Sequence, residues 1–284
     1  MKMPRGDGML LRFGTALTLI PFLVAVVWLP ALRLGFVALV AALVLLGAHE
    51  FFKMARQAGI EVAPRSGTIL AVALALSAGF APNDGFAHHA ALTLSVFLLI
   101  SIHLFSLRHT IAGLSTSVFG LIYVGYCGSF FIALHQKELV GPALITILIV
   151  TIGCSDTGAY LIGKALGRHK LAPKISPNKT IEGSIAAVVC ATSAGAVLFG
   201  LQRYCGWKSY PQWPVGLYMM TGLCLSIVGQ MGDLVESLLK RNAGIKDSGS
   251  VFPGHGGALD RCDAFLFGAP ALYYLARLVE RWIH

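Results

Sequence analysis

Nine apolar runs, at about 13–32, 34–49, 66–82, 88–107, 110–134, 139–163, 183–202, 214–235 and 264–283, follow one another along this chain with only short polar breaks between them. A bilayer takes about 20 apolar residues per helix, and backbone inside it must satisfy its own hydrogen bonds. The expected fold is therefore all-α: a polytopic integral membrane protein of about nine transmembrane helices. The first two runs are split only by Arg33 near Pro30, so a hairpin with a short second arm also fits. Only 12% of the residues are charged, about half the usual share in soluble domains. Nine spans would use roughly 180 residues, which leaves no room for a large domain outside the membrane. The chain reads as one membrane-embedded domain, 1–284, with amino-terminal transmembrane helices in 1–135 and the polar chemistry in 150–264. Lys2, Arg5 and Arg12 precede the first run as in a signal peptide. That run continues to about Leu32 and more spans follow, so a retained first helix is expected.

The breaks carry the charge, and they carry it unevenly. With a cytoplasmic amino terminus and nine crossings, one side holds Lys2, Arg5, Arg12, Lys53, Arg56, Arg65, Arg108, Lys164, Arg168, Lys170, Lys174, Lys179, Lys240, Arg241, Lys246 and Arg261, which is 16 of the 22 basic residues. The positive-inside rule assigns that side to the cytoplasm. Trp28, Trp207, Trp213 and Trp282 fall at span ends or in short loops, where an indole prefers the headgroup layer. The net charge of +9 points to anionic lipid or phosphorylated substrates ahead of nucleic acid. Six cysteines without a CxxC pair read as small buried hydrophobes, not as metal ligands or disulfides.

Two cytoplasmic loops differ from the rest. The first carries Asp156, Lys164, Arg168, Lys170, Lys174, Lys179 and Glu182, with Ser176, Asn178 and Thr180 leading into the seventh run. Cations and hydroxyls at a helix amino terminus suit a polyphosphate; an ordinary capped positive-inside loop fits the composition equally well. The second loop is sharper. Asp233 lies where the eighth run meets the cytoplasm, and Asp260 and Asp263 lie where the ninth begins. A spacing of three puts Asp260 and Asp263 on one helix face, and acids converging at a membrane surface call for a shared cation such as Mg²⁺. Between them, Pro253-Gly254-His255-Gly256-Gly257 would let backbone N–H groups approach a ligand closely. The P-loop pattern and the dinucleotide-binding GxGxxG pattern are both absent.

At these residues the chain resembles the phosphatidate cytidylyltransferase (CDP-diacylglycerol synthase) family. That family's carboxy-terminal signature is matched by Ser237, Lys240, Arg241, Lys246, Asp247, His255, Gly256, Gly257, Asp260, Arg261 and Asp263, in step over 27 positions. Segments Asp156–Tyr160, His169–Lys174 and Ser176–Thr180 resemble the family too, so the likeness covers about 150–264 and is only hydropathic before that. Ala258, Cys262, Ala264 and Ile181 depart from the usual residues without removing a charged group. The resemblance implies a nucleotidyltransferase of phospholipid biosynthesis, in which CTP and phosphatidic acid give CDP-diacylglycerol and pyrophosphate. It implies that Asp233, Asp260 and Asp263 hold Mg²⁺, with a second cation left open, and that Lys179, Lys240, Arg241 and Lys246 neutralise phosphates. Ser176, Thr180 and the glycine loop would donate hydrogen bonds. Asn178, His255 and Arg261 join the substrate-binding set, and Asp156, Glu182 and Asp247 would orient the cations or the nucleoside. On this reading Asp260→Asn abolishes product formation. The expected setting is a bacterial inner membrane with the site facing the cytoplasm, and a homodimer is left open.

The nearest rivals are a CTP-dependent cytidylyltransferase or kinase acting on another membrane lipid. A cation-coupled transporter is a more distant one, because its acids would lie near the bilayer midplane and not at span ends.

Overall fold

The computed structural model describes residues 21–80, 86–105, 110–249 and 256–283. After a helical stretch at 21–28 come α1 (Arg33–Gln57), α2 (Pro64–Ser77), α3 (Phe86–Leu104), α4 (Ile111–His135) and α5 (Gly141–Leu166). A two-stranded ribbon of β1 (Lys170–Ala172) and β2 (Ser176–Thr180) precedes α6 (Ile181–Cys205), α7 (Val215–Asn242) and α8 (Leu259–Ile283). The all-α membrane architecture holds. Among the described residues seven helices are long and apolar enough to cross a bilayer, against the nine expected. Of the other two runs, 66–82 gives α2, whose 14 residues reach about 21 Å, short of a hydrocarbon layer of about 30 Å. The run 13–32 lies partly outside the described residues.

Boundaries moved where helix propensity outran hydropathy. The second run, read as a short arm ending at His49, continues as helix to Gln57, because Glu50, Phe51, Phe52, Lys53, Met54, Ala55 and Arg56 interpose no breaker. The chain reverses only beyond it, where Gly59 takes a left-handed φ of 78°. Within α4, Leu121–Tyr126 widens into a π-helical turn. Such turns are rare and frequently mark functional positions.

Helices α5 to α8 pack in sequence, and α8 also lies against α4 and α1, which joins the two halves of the bundle. Small residues set the close crossings: a Cβ at Gly222 would fall 2.2 Å from Ala191 O, and one at Gly232 would fall 2.4 Å from Asp263 O. Backbones approach this closely in membranes because packing, not water exclusion, holds the helices together. The outward side chains of α6, Ile185, Val189 and Val197, are more than half exposed, as a lipid-facing surface requires. All six cysteines are free, as expected, but none is fully buried and Cys205 is exposed; an apolar solvent removes the need to bury them. Trp28, Tyr210 and Trp213 gather at the end of the bundle where α6 meets α7, with Trp28 stacked on Tyr210 at 5.9 Å.

Candidate active site

The site lies at the other end of α7, and its outer wall is the ribbon, a stretch that the sequence alone presents as loop. Pro173 follows β1 and Ile175 N–H donates to Ala172 O at 3.1 Å, a turn with proline at its favoured second position. Register then pairs Lys170 with Thr180 and Ala172 with Ser176. Thr180 caps α6, as the alternative reading of this loop as an ordinary capped one has it: its hydroxyl accepts from Gly183 N–H at 3.2 Å. Glu182, in the first turn of α6, accepts from Arg168 N–H at 3.1 Å and His169 N–H at 3.2 Å, and pairs with His169 Nδ1 at 2.6 Å. Its carboxylate thus fastens the ribbon to the helix. Arg241 Nε donates to Ile175 O at 3.2 Å, which fastens the ribbon to α7.

The inner wall is the last turns of α7. Asp233, Glu236 and Lys240 stand at spacings of three and four and share one helix face. Gly232, closed against the α8 backbone, brings that face onto Asp263. One carboxylate oxygen each from Asp233, Glu236 and Asp263 lies within 4.8 Å of the other two. Glu236 is fully buried. Like charges at that separation repel by about 3–4 kcal/mol per pair at an effective dielectric near 20. Around them stand two ammonium groups. Lys179 meets Asp233 at 2.6 Å, and Lys240 bridges Glu236 and Asp260, reaching the latter at 2.8 Å. Three carboxylates against two cations leave negative charge in a largely desolvated place, and oxygen donors in that number suit a hard divalent ion. The residues present therefore fit Mg²⁺.

This acid set differs in one member from the expected one. Asp260 is bound by protein donors: its Oδ1 accepts from Lys240, and its Oδ2 accepts from Ser248 N–H at 2.9 Å and Gly257 N–H at 2.8 Å. Glu236 stands in the trio, and the sequence reading passed over it. The signal was present as the Asp233-x-x-Glu236 spacing, the same spacing that drew attention to Asp260 and Asp263. The reading missed two further groups, Glu50 of α1, taken up below, and Tyr123. The Tyr123 hydroxyl is buried without a hydrogen-bond partner, sits on the π-helical turn and feels the charges of Asp263 and Glu236.

The remaining expected residues divide by position. Asp156, on α5, is exposed at the same end and within electrostatic reach of Asp233 and Lys179. Ser176 and Asn178 lie on β2, with Asn178 exposed; Lys246 and Asp247 are exposed on the loop after α7, and Arg261 is exposed on the first turn of α8. Gly256 has a left-handed φ of 84°, so the glycine is required there. The Gly257 amide, expected to face a ligand, donates to Asp260. His255 lies outside the described residues.

Charged groups from β2, α7 and α8, far apart in sequence, are thus held at one end of a membrane bundle. A family model described as the cytidylyltransferase family matches residues 10–279. A phosphatidate cytidylyltransferase of Synechocystis sp. is 36% identical over 274 residues, covering 86% of this chain and 89% of that protein. One of Bacillus subtilis is 46% identical over 157 residues, 55% of this chain and 56% of that protein. One of Staphylococcus aureus is 41% identical over 162 residues, 56% of this chain and 58% of that protein. With a match along almost its whole length, the chain belongs to the cytidylyltransferase family.

Proposed function

We propose that this protein transfers CMP from CTP to phosphatidic acid, giving CDP-diacylglycerol and pyrophosphate, at the face of the bundle formed by β2, α7 and α8. The observation that carries the reading is the trio of Asp233, Glu236 and Asp263 edged by the basic ribbon, in a chain related along most of its length to phosphatidate cytidylyltransferases. A phosphate monoester is mostly dianionic near neutral pH, its second pKa being about 6. Its oxygen can therefore attack the α-phosphorus of CTP without a dedicated base; the new P–O bond forms as the bond to pyrophosphate breaks.

What remains for the protein is positioning and charge neutralisation. Asp233, Glu236 and Asp263 would hold Mg²⁺, which supplies positive charge to the phosphates. Lys179 neutralises phosphate from the ribbon side, while Lys240 bridges Glu236 and Asp260 and offsets their repulsion. Arg241 and Lys246 extend the positive rim, with Ser176, Asn178 and Arg261 at its edge. Asp260 ties Ser248 to the start of α8, a different task from the ligand role its spacing first suggested. The lipid tails stay in the bilayer while the headgroup reaches the span ends. The basic residues gathered at this face support a cytoplasmic orientation of the site.

CTP labelled at the α- or γ-phosphate separates the alternatives. With phosphatidic acid and purified protein, α-label enters the lipid phase and γ-label leaves as pyrophosphate. A lipid kinase would put γ-label into lipid and release CDP, and a transporter would do neither.

A further inference from the structure

Position 50 sets a carboxylate at the end of an apolar run, on a helix outside the region that carries the family signature. A charge there must be hydrogen-bonded if it is buried. Glu50 is 3% exposed. Its Oε2 accepts from Ser248 Oγ and from Leu259 N–H, both at 2.9 Å, and its Oε1 accepts from Ala258 N–H at 3.0 Å. With Gly257 N–H donating to Asp260, three consecutive amides at the start of α8 end on two carboxylates. A helix amino terminus stabilises such anions by its free N–H groups and its dipole. Ser248 joins both acids as well, through its hydroxyl to Glu50 and through its N–H to Asp260. Ser248 and the start of α8 are therefore fastened to one pair of carboxylates.

The glycines of this loop follow from that arrangement. A Cβ at Gly249 would lie 2.2 Å from Glu50 Oε1, and one at Gly257 would lie 2.4 Å from Glu50 Oε2 and 2.2 Å from Ser248 Oγ. No side chain fits at either position while the Glu50 carboxylate is seated. Gly249 and the signature glycine Gly257 make room for an acid arriving from α1.

We propose that Glu50 is a positioning residue of the site, whose buried carboxylate clasps Ser248 to the start of α8 and caps that helix, so that the amino-terminal helices fix Asp260 and Asp263 against Asp233 and Glu236. The catalytic part of this inference rests on the function proposed above; the clasp itself does not. Glu50→Gln keeps the shape, removes one acceptor oxygen and sets an NH₂ group against amide donors. In purified full-length protein it lowers kcat about 10- to 100-fold, the worth of a charged hydrogen bond, and speeds hydrogen exchange in the segment 256–263. Asp263→Asn, measured beside it, lowers turnover but leaves the exchange of that segment slow. Wild-type turnover or wild-type exchange in Glu50→Gln, either one alone, overturns the proposal. If Glu50→Gln does not yield folded protein, Ser248→Ala removes a single donor and gives the same two changes, with turnover down about 2- to 10-fold; no change in either reading overturns the proposal equally. A wild type that makes no CDP-lipid defeats the proposed function, while the exchange result still decides the clasp.

Discussion

Two groups of carboxylates lie side by side at one end of this bundle, and they are built in opposite ways. Around the start of α8, Glu50 and Asp260 receive donors on every oxygen: two backbone amides and a hydroxyl bind Glu50, and two further amides and Lys240 bind Asp260. A few ångströms of helix away, Asp233, Glu236 and Asp263 face one another, and the buried Glu236 meets only the Lys240 ammonium and the neighbouring carboxylates, with no backbone amide donating to it among the described residues. A buried acid whose lone pairs are filled by amides has a structural task. One left facing other acids needs a cation. Residue type and spacing do not separate the two cases, because Asp260 and Asp263 are three residues apart on one helix and fall on opposite sides of the division.

The predictions that test this division run from the trio outward. Asp263→Asn removes a charge from the trio and should cost more than about 1,000-fold in turnover, since metal-assisted charge stabilisation is worth several kcal/mol; a radiolabelled-CTP assay with phosphatidic acid reads it. Glu236→Gln should lose about 100- to 1,000-fold for the same reason, with the Mg²⁺ concentration for half-maximal rate raised. Asp260→Asn should fall less, about 10- to 100-fold, with Mg²⁺ dependence near wild type and faster exchange around the loop. If Asp260→Asn instead shifts the Mg²⁺ dependence as far as Glu236→Gln does, the two groups are not distinct. Tyr123→Phe should change turnover by only about 2- to 10-fold, because a single neutral hydroxyl is removed, while Ser237→Ala, at 3.4 Å from Asp233, should barely register.

The membrane fold was legible because a hydropathy run carries its own evidence: long, uncharged and bounded by polar breaks. The acids at span ends were legible because a charge there is expensive and stands out. Glu50 did not stand out, since one acid closing an apolar run looks like a boundary, and its partners lie some 200 positions away in sequence. Glu236 was hidden by the signature that begins at Ser237, one residue later. The ribbon was missed because three- and five-residue strands are shorter than any periodicity can report. The glycines were noticed for a sound reason, close approach. What approaches them is a carboxylate of the same chain, which only the packing of α1 against the start of α8 reveals.

One measurement tests the central claim most directly: transfer of the α-phosphate label of CTP to phosphatidic acid by purified wild type and Glu236→Gln, across a Mg²⁺ titration. If the trio holds the cation, wild type is inactive without Mg²⁺ and the variant responds, if at all, only at much higher Mg²⁺. A Glu236→Gln protein that transfers label at the wild-type rate with the wild-type Mg²⁺ dependence would contradict it.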